Sequence, residues 1–235
     1  MARYFNGTSS CITLANSVRL NLPAAGWSVG GWLKVTDNPG TASTYVFQQR
    51  SGSANLFGII CWGKSNATDA NKFQAGYRMS STNWVVMSSS GTPAANREWQ
   101  HVLLMRSGAD FNMYINGESA ASGSNANAPA WELDVPLYFG SQEGVSNFFN
   151  GHLANWAKWD RPLLSGEIAA IVAGANSQRY RLNLAWDMAM REDLRESITD
   201  LRVTNNESTL SAHLPVELPP QSGIVQPVIQ RALGV

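Results

Sequence analysis

The chain has 235 residues, 44% hydrophobic and only 14% charged, with 17 basic and 17 acidic side chains in balance. That length suits one all-β domain, and the apolar fraction argues against a disordered chain. Zero net charge without a basic run excludes phosphate-backbone recognition, which needs clustered Lys and Arg, and no apolar run reaches the ~20 residues of a membrane-spanning helix. The polar surface has to come from Ser, Asn, Thr, Gln and Gly, because charge lies well under the roughly 25% usual for globular chains.

The opening "MARYFNG" has no apolar signal core, so Sec export is not expected. Cys11 and Cys61 are then read as free thiols rather than a disulfide. No CxxC occurs, and His101, His152 and His213 are scattered, so no zinc site is expected.

Short β-like runs follow one another about every ten residues, separated by Gly, Asn, Ser and Pro, which is the rhythm of a β-sandwich. The expected strands are 11–14, 17–22, 27–35, 44–50, 56–62, 72–79, 83–89, 98–106, 110–115, 136–140 and 150–159. Asn116-Gly117 is the residue pair that a tight hairpin turn prefers, since both central positions need positive φ. Residues 119–130, "SAASGSNANAPA", read as a surface loop.

Helix enters only after "NWAKWDRPLLSGEI". Pro162 holds Arg161 extended. Ser165 is placed to cap a short helix near 165–173, Glu167 suits its N-terminal dipole, and Ile168, Ile171 and Val172 recur at helical spacing. Gly174 ends it. "LNLAWDM" reads as a further strand, and residues 187–203 as a helix or irregular excursion reaching a strand near 200–204. The segment "HLPVELPPQSGIVQPVIQRALGV" holds Pro215, Pro219, Pro220 and Pro227 with Val and Ile between them. Such a composition favours extended chain lying against a partner. The expected organisation is a sandwich over 1–180, closing strands of the same unit over 181–212, and an extended arm over 213–235.

Four stretches together resemble laminin-G-like domains of the concanavalin A-like lectin/glucanase superfamily. They are "ARYFNGTSSCITL", "WSVGGWLKV" with Trp32, "REWQHVLLMRSGADFNMYINGE", and "FFNGHLANWAKWDRPLLSGEIAAI". They occur in the family's order and spacing and cover about residues 2–174. The resemblance implies an all-β jelly-roll sandwich of two antiparallel sheets, with Trp32, Trp99, Trp156 and Trp159 in its core. "LNLAWDM", "ITDLRVTNN" and "AHLPVELPP" resemble the continuation of this domain in tailed-bacteriophage virion proteins.

Glucanases of the superfamily carry Glu-x-Asp-x-x-Glu on one strand, which sets two carboxylates on one face. That pattern is absent, and no GxSxG elbow occurs. Asp187, Glu192, Asp193 and Glu196 are read as a solvated face. The last Gly-x-Leu strand continues with Ala154 and Asn155 where the family usually places acidic residues. No dense set of carboxylate oxygens appears, so no calcium or other cofactor is expected.

A binding role remains. Trp62, Tyr77, Arg78 and Trp84 on the middle strands, with Asn66, Asp69 and Asn71 in the loop between, are the candidate glycan contacts. Aromatic rings stack on sugar faces while polar groups fix hydroxyls. Alternation along 72–79 puts Tyr77 on the face of Phe73, Ala75 and Met79, the expected core side. In the arm, Leu214, Val216, Leu218, Ile224, Val225, Val228 and Ile229 are the candidate anchors to other virion proteins. The expectation is a non-enzymatic bacteriophage surface protein, a capsid decoration or a tail/fibre component, made in the host cytoplasm. Host glycans are its second expected partner, nucleic acid and membrane are not partners, and a homo-oligomer is compatible. The alternatives are a soluble bacterial lectin-like module and a degenerate glucanase.

Overall fold

The computed structural model describes residues 2–36, 43–51, 55–61, 70–78, 80, 82–93, 97–127, 135–175, 180, 183–188 and 203–211. In chain order the elements begin with strands β1 (Ala2–Asn6) and β2 (Cys11–Leu14), a 3-10 turn (Val18–Leu20) and β3 (Gly26–Val35). Next come β4 (Thr44–Ser51), β5 (Asn55–Cys61), β6 (Phe73–Arg78) and β7 (Trp84–Ser88). Strands β8 (Gln100–Ser107), β9 (Asp110–Ile115), β10 (Glu118–Ser124), β11 (Leu137–Phe139) and β12 (Asn150–Trp159) lead into helix α1 (Ser165–Val172). Strands β13 (Leu184–Met188), β14 (Val203–Asn206) and β15 (Thr209–Ser211) complete the described chain.

These strands form two antiparallel sheets, a jelly-roll sandwich as expected. The eight-stranded sheet runs β10-β9-β8-β3-β12-β1-β15, with β13 pairing alongside β12; the seven-stranded sheet runs β14-β2-β11-β4-β5-β6-β7. Period-2 alternation decides which side chains meet between them. Trp27, Val29, Leu33 and Val35 of β3 face Phe57 and Ile59 of β5 and Phe73, Ala75 and Tyr77 of β6 in one buried cluster. Aromatic rings chain across it: Trp27 to Phe57 at 5.1 Å, Phe57 to Phe47 at 5.3 Å, and Phe47 to Trp156 at 5.2 Å between centroids. Edge-to-face contacts of this kind add to the area these rings bury. Gly31 leaves room for the largest of them, since a Cβ there would stand 2.5 Å from the Trp156 ring.

The strand that ends in Asp-Arg-Pro serves a second, smaller core on the outer side of the eight-stranded sheet. Leu103, Met105, Ala157 and Trp159 pack there against Leu163, Ile168 and Ile171. The corner is fixed by Ser28, whose hydroxyl donates to the Arg161 carbonyl and accepts from the Leu163 amide, both at 3.0 Å. Helix α1 ends at Gly174 (φ +95°) as expected, with Ala175 N–H reaching the Ala170 carbonyl at 2.9 Å. Its start differs from expectation. Leu164, not Ser165, occupies the N-cap, and it brings no side-chain acceptor. The Glu167 carboxylate replaces one by accepting from the Leu164 amide at 2.8 Å. It is itself held by both terminal nitrogens of Arg161 at 2.7 Å.

Three further expectations are corrected. The expected strand 17–22 is instead built around a 3-10 turn at Val18–Leu20: the Ser17 hydroxyl caps it by accepting from the Arg19 amide. The expected loop after the hairpin is strand β10, paired with β9 through Glu118–Ser124. A ladder needs only backbone groups, so small polar side chains do not forbid it. The hairpin turn itself is as read, with Asn116 at φ +52° and Gly117 at φ +86°. Trp156 and Trp159 are buried, but Trp32 and Trp99 are only half-buried. They sit on the outer side of the eight-stranded sheet, Trp32 edge-on to His101 at 5.5 Å and Trp99 by His152 at 6.0 Å. Alternation along β3 turns Trp32 away from Trp27 and Leu33.

Candidate functional site on the seven-stranded sheet

The outer side of the seven-stranded sheet is built from positions far apart in sequence. Strand register sets Thr13, Tyr138, Gln48, Gly58, Gly76 and Val86 in one row across β2, β11, β4, β5, β6 and β7. Two glycines in succession leave the middle of that row without side chains. Gly58 is required by space: a Cβ would meet the Phe47 carbonyl oxygen at 2.4 Å. A register shift between Tyr45 and Phe47 accompanies this close approach, the mark of a β-bulge.

Gln48 stands at one end of the glycine pair. It has no accessible surface, and among the described residues neither its amide oxygen nor its nitrogen has a hydrogen-bond partner. A buried amide without partners costs on the order of 1–3 kcal/mol. Tyr138 flanks it in the row, and Tyr45 lies on the same side three residues before it. Burial is the main cause that raises both phenols above their ordinary pKa, and the charge of Glu143 adds to it; beside Tyr45, Arg50 acts against the rise. Both hydroxyls therefore remain protonated donors at neutral pH.

At the other end lies an exposed pair. Trp84 and Arg78 are direct cross-strand neighbours. Trp84 is 49% and Val86 40% exposed, large values for apolar side chains. The same row continues from Arg78 through position 56 to Arg50. Edge strand β7 is fastened to β10 of the opposite sheet: Ser90 N–H donates to the Ala120 carbonyl at 2.8 Å, and Asn125 Nδ2 donates to the Trp84 carbonyl at 3.2 Å. The Trp84 backbone is thus held while its indole stays open to solvent.

Of the residues singled out from sequence, the structure unites Arg78 and Trp84. Tyr77 is corrected: it is 2% exposed, with its ring 5.3 Å from Phe111 and 6.3 Å from Trp27 inside the sandwich. Asn71 precedes β6 at φ +62°. It lies at the far end of that strand from Arg78, ~17 Å or more away at 3.3–3.4 Å per residue. Trp62, Asn66 and Asp69 lie outside the described residues, as do the anchors Leu214 to Ile229. Gln48, Tyr45, Tyr138 and Arg50 went unnoticed, because only strand register brings them to Trp84's side.

A ring for stacking, a guanidinium and two phenols can hold a polyhydroxylated ligand. They offer no calcium cage, which wants several carboxylate oxygens. Among the described residues no three His, Cys, Asp or Glu side chains converge.

The family model described as the concanavalin A-like lectin/glucanases superfamily, a laminin-G model, matches residues 6–169. The chain belongs to this superfamily. Its fold is shared with several solved structures. A candidate carbohydrate binding protein from Bacteroides ovatus is 12% identical, with TM-score 0.63 over 88% of this chain and 58% of that one. The heptameric SAP-like pentraxin from Limulus polyphemus is 16% identical, with TM-score 0.58 over 87% of this chain and 93% of its own. The binding domain of botulinum neurotoxin DC, solved in complex with SialylT, is 11% identical, with TM-score 0.51 over 63% of this chain and 35% of that one. At these identities the likeness is one of fold. A search of the curated proteins finds no match.

Proposed function

We propose that this chain is a non-enzymatic, lectin-like module that binds glycans on the outer side of its seven-stranded sheet. The observation that carries the reading is the outer face on which exposed Trp84 and Val86 of β7 border the side-chain-free path over Gly76 and Gly58, with Tyr138 at its far end beyond Gln48. Five strands at ~4.8 Å spacing make that path ~19 Å long, enough for a short oligosaccharide. The description of the Bacteroides ovatus relative as carbohydrate binding supports the same reading. Sugar rings would stack on Trp84, and their hydroxyls would meet the two tyrosines.

In the finer reading the module sits on a bacteriophage particle, as capsid decoration or tail/fibre component, attached through residues 213–235. A soluble bacterial carbohydrate-binding module is the second reading, and the Bacteroides ovatus likeness favours it. A glycan array of the purified chain tests the common part. Specific binding that Trp84→Ala abolishes is expected; an empty array from folded protein overturns it. A chain ending at Ala212 separates the two settings. The phage reading predicts a folded protein that no longer attaches to particles, and retained attachment sinks it.

A further inference from the structure

We propose that the Trp84–Arg78 end of this face selects acidic glycans, with Arg78 pairing the carboxylate of a sugar whose neighbouring ring stacks on Trp84. The inference rests on the glycan-binding reading above and adds the ligand class. Arg78 is exposed, and among the described residues no hydrogen bond or ion pair engages its guanidinium. Register puts Arg50 in the same row, two strands away, or ~10 Å at sheet spacing. Arg78 therefore sets a positive charge directly beside Trp84, while the charge of Arg50, farther along the row, acts on Tyr45. Glu143 acts at the far end of the face, on Tyr45 and Tyr138.

Arg161 illustrates what the missing partner would be: its two terminal nitrogens each hold a Glu167 oxygen at 2.7 Å. A guanidinium's planar fork matches a carboxylate in this two-point manner, whereas a neutral hydroxyl uses one point. Cross-strand neighbours stand ~4.5–5.5 Å apart at Cβ. Trp84 and Arg78 can therefore grip adjacent parts of one acidic sugar, or two linked ones.

The test is an array of matched glycan pairs probed with the full chain. The pairs are sialylated against desialylated and uronate against carboxyl-reduced, with sulfated forms beside them. Carboxylated members are expected to bind about tenfold tighter than their neutral partners. Arg78→Gln should erase that ratio without moving the melting temperature, and the surface control Arg19→Gln should leave it intact. Neutral partners bound equally well, with Trp84→Ala still abolishing binding, would overturn the acid preference and leave the lectin reading standing. Sulfated forms bound as tightly as carboxylated ones would overturn the carboxylate assignment. An array empty for the unaltered chain would overturn the lectin reading, and this inference with it.

Discussion

His101 shows how a single side chain can set the molecule's response to acid. It is 3% exposed on β8, its ring rests against Trp32, and its Nδ1 has no partner. Desolvation lowers its pKa to about 4. The unfolded imidazole takes its proton near the usual ~6.5. Between those values the unfolded chain binds a proton that the native chain refuses, so stability falls as pH drops through that window. The loss approaches about 3 kcal/mol at pH 4. His152 is lowered too, by burial and then by Lys34, and acts with the same sign. In His101→Phe, denaturant midpoints should lose most of their dependence on pH between 6.5 and 4. An unchanged dependence would place the effect elsewhere. Lys158 is the opposite case, a buried cation that keeps partners. Its ammonium donates to the Arg19 carbonyl at 3.0 Å and pairs with Asp160, which stays 41% exposed. Asp160→Asn leaves the ammonium without its counter-charge and should cost about 1–2 kcal/mol, below the 3–5 of a fully buried pair because solvent reaches Asp160. Lys158→Met combined with Asp160→Asn should recover most of that in urea unfolding.

Helix α1 carries the clearest element-scale expectation. Leu164 holds the N-cap position with 70% of its surface in water, where Ser would supply an acceptor for a free N–H. Leu164→Ser should stabilise the protein by about 0.5–1 kcal/mol, visible as a higher melting temperature. Glu167→Gln should destabilise by about 1–2 kcal/mol, since a neutral amide replaces the carboxylate that pairs with both Arg161 nitrogens, although its oxygen can still accept from the Leu164 amide. The Arg161 hydrogen bonds hold the Glu167 pKa below its usual range. The stability it lends is therefore present above the unfolded carboxylate pKa and lost as pH falls through the native one. At this scale most of the fold was legible. Apolar runs between turn residues marked β3, β6 and β8, Asn116-Gly117 marked its hairpin, and Pro162 and Gly174 bracketed the helix. Strand β10 was hidden because its residues are small and polar on both faces. The site was legible only in part. Trp84 and Arg78 stand near strand ends and can be picked by residue type. Gln48, Tyr138 and Gly58 owe their neighbourhood to pairing between distant strands, which no local pattern encodes. Tyr77 is the instructive error: its alternation already assigned it to the core, and residue type alone argued otherwise.

For the whole molecule, the ring chain from Trp27 through Phe57 and Phe47 to Trp156 ties the two sheets into one cooperative body. Phe47→Ala should cost about 3–5 kcal/mol yet leave a single unfolding transition. Two transitions in calorimetry would show the sheets to be separable. The fastening of β7 to β10 by Ser90 and Asn125 has a consequence for life at high density. Open sheet edges invite other chains to add strands, the route to fibres and precipitates. On the Trp84 side the Trp84 carbonyl and the Ser90 amide are already taken by the opposite sheet. A foreign strand seeking this edge finds those two groups occupied and has to begin its pairing elsewhere along β7.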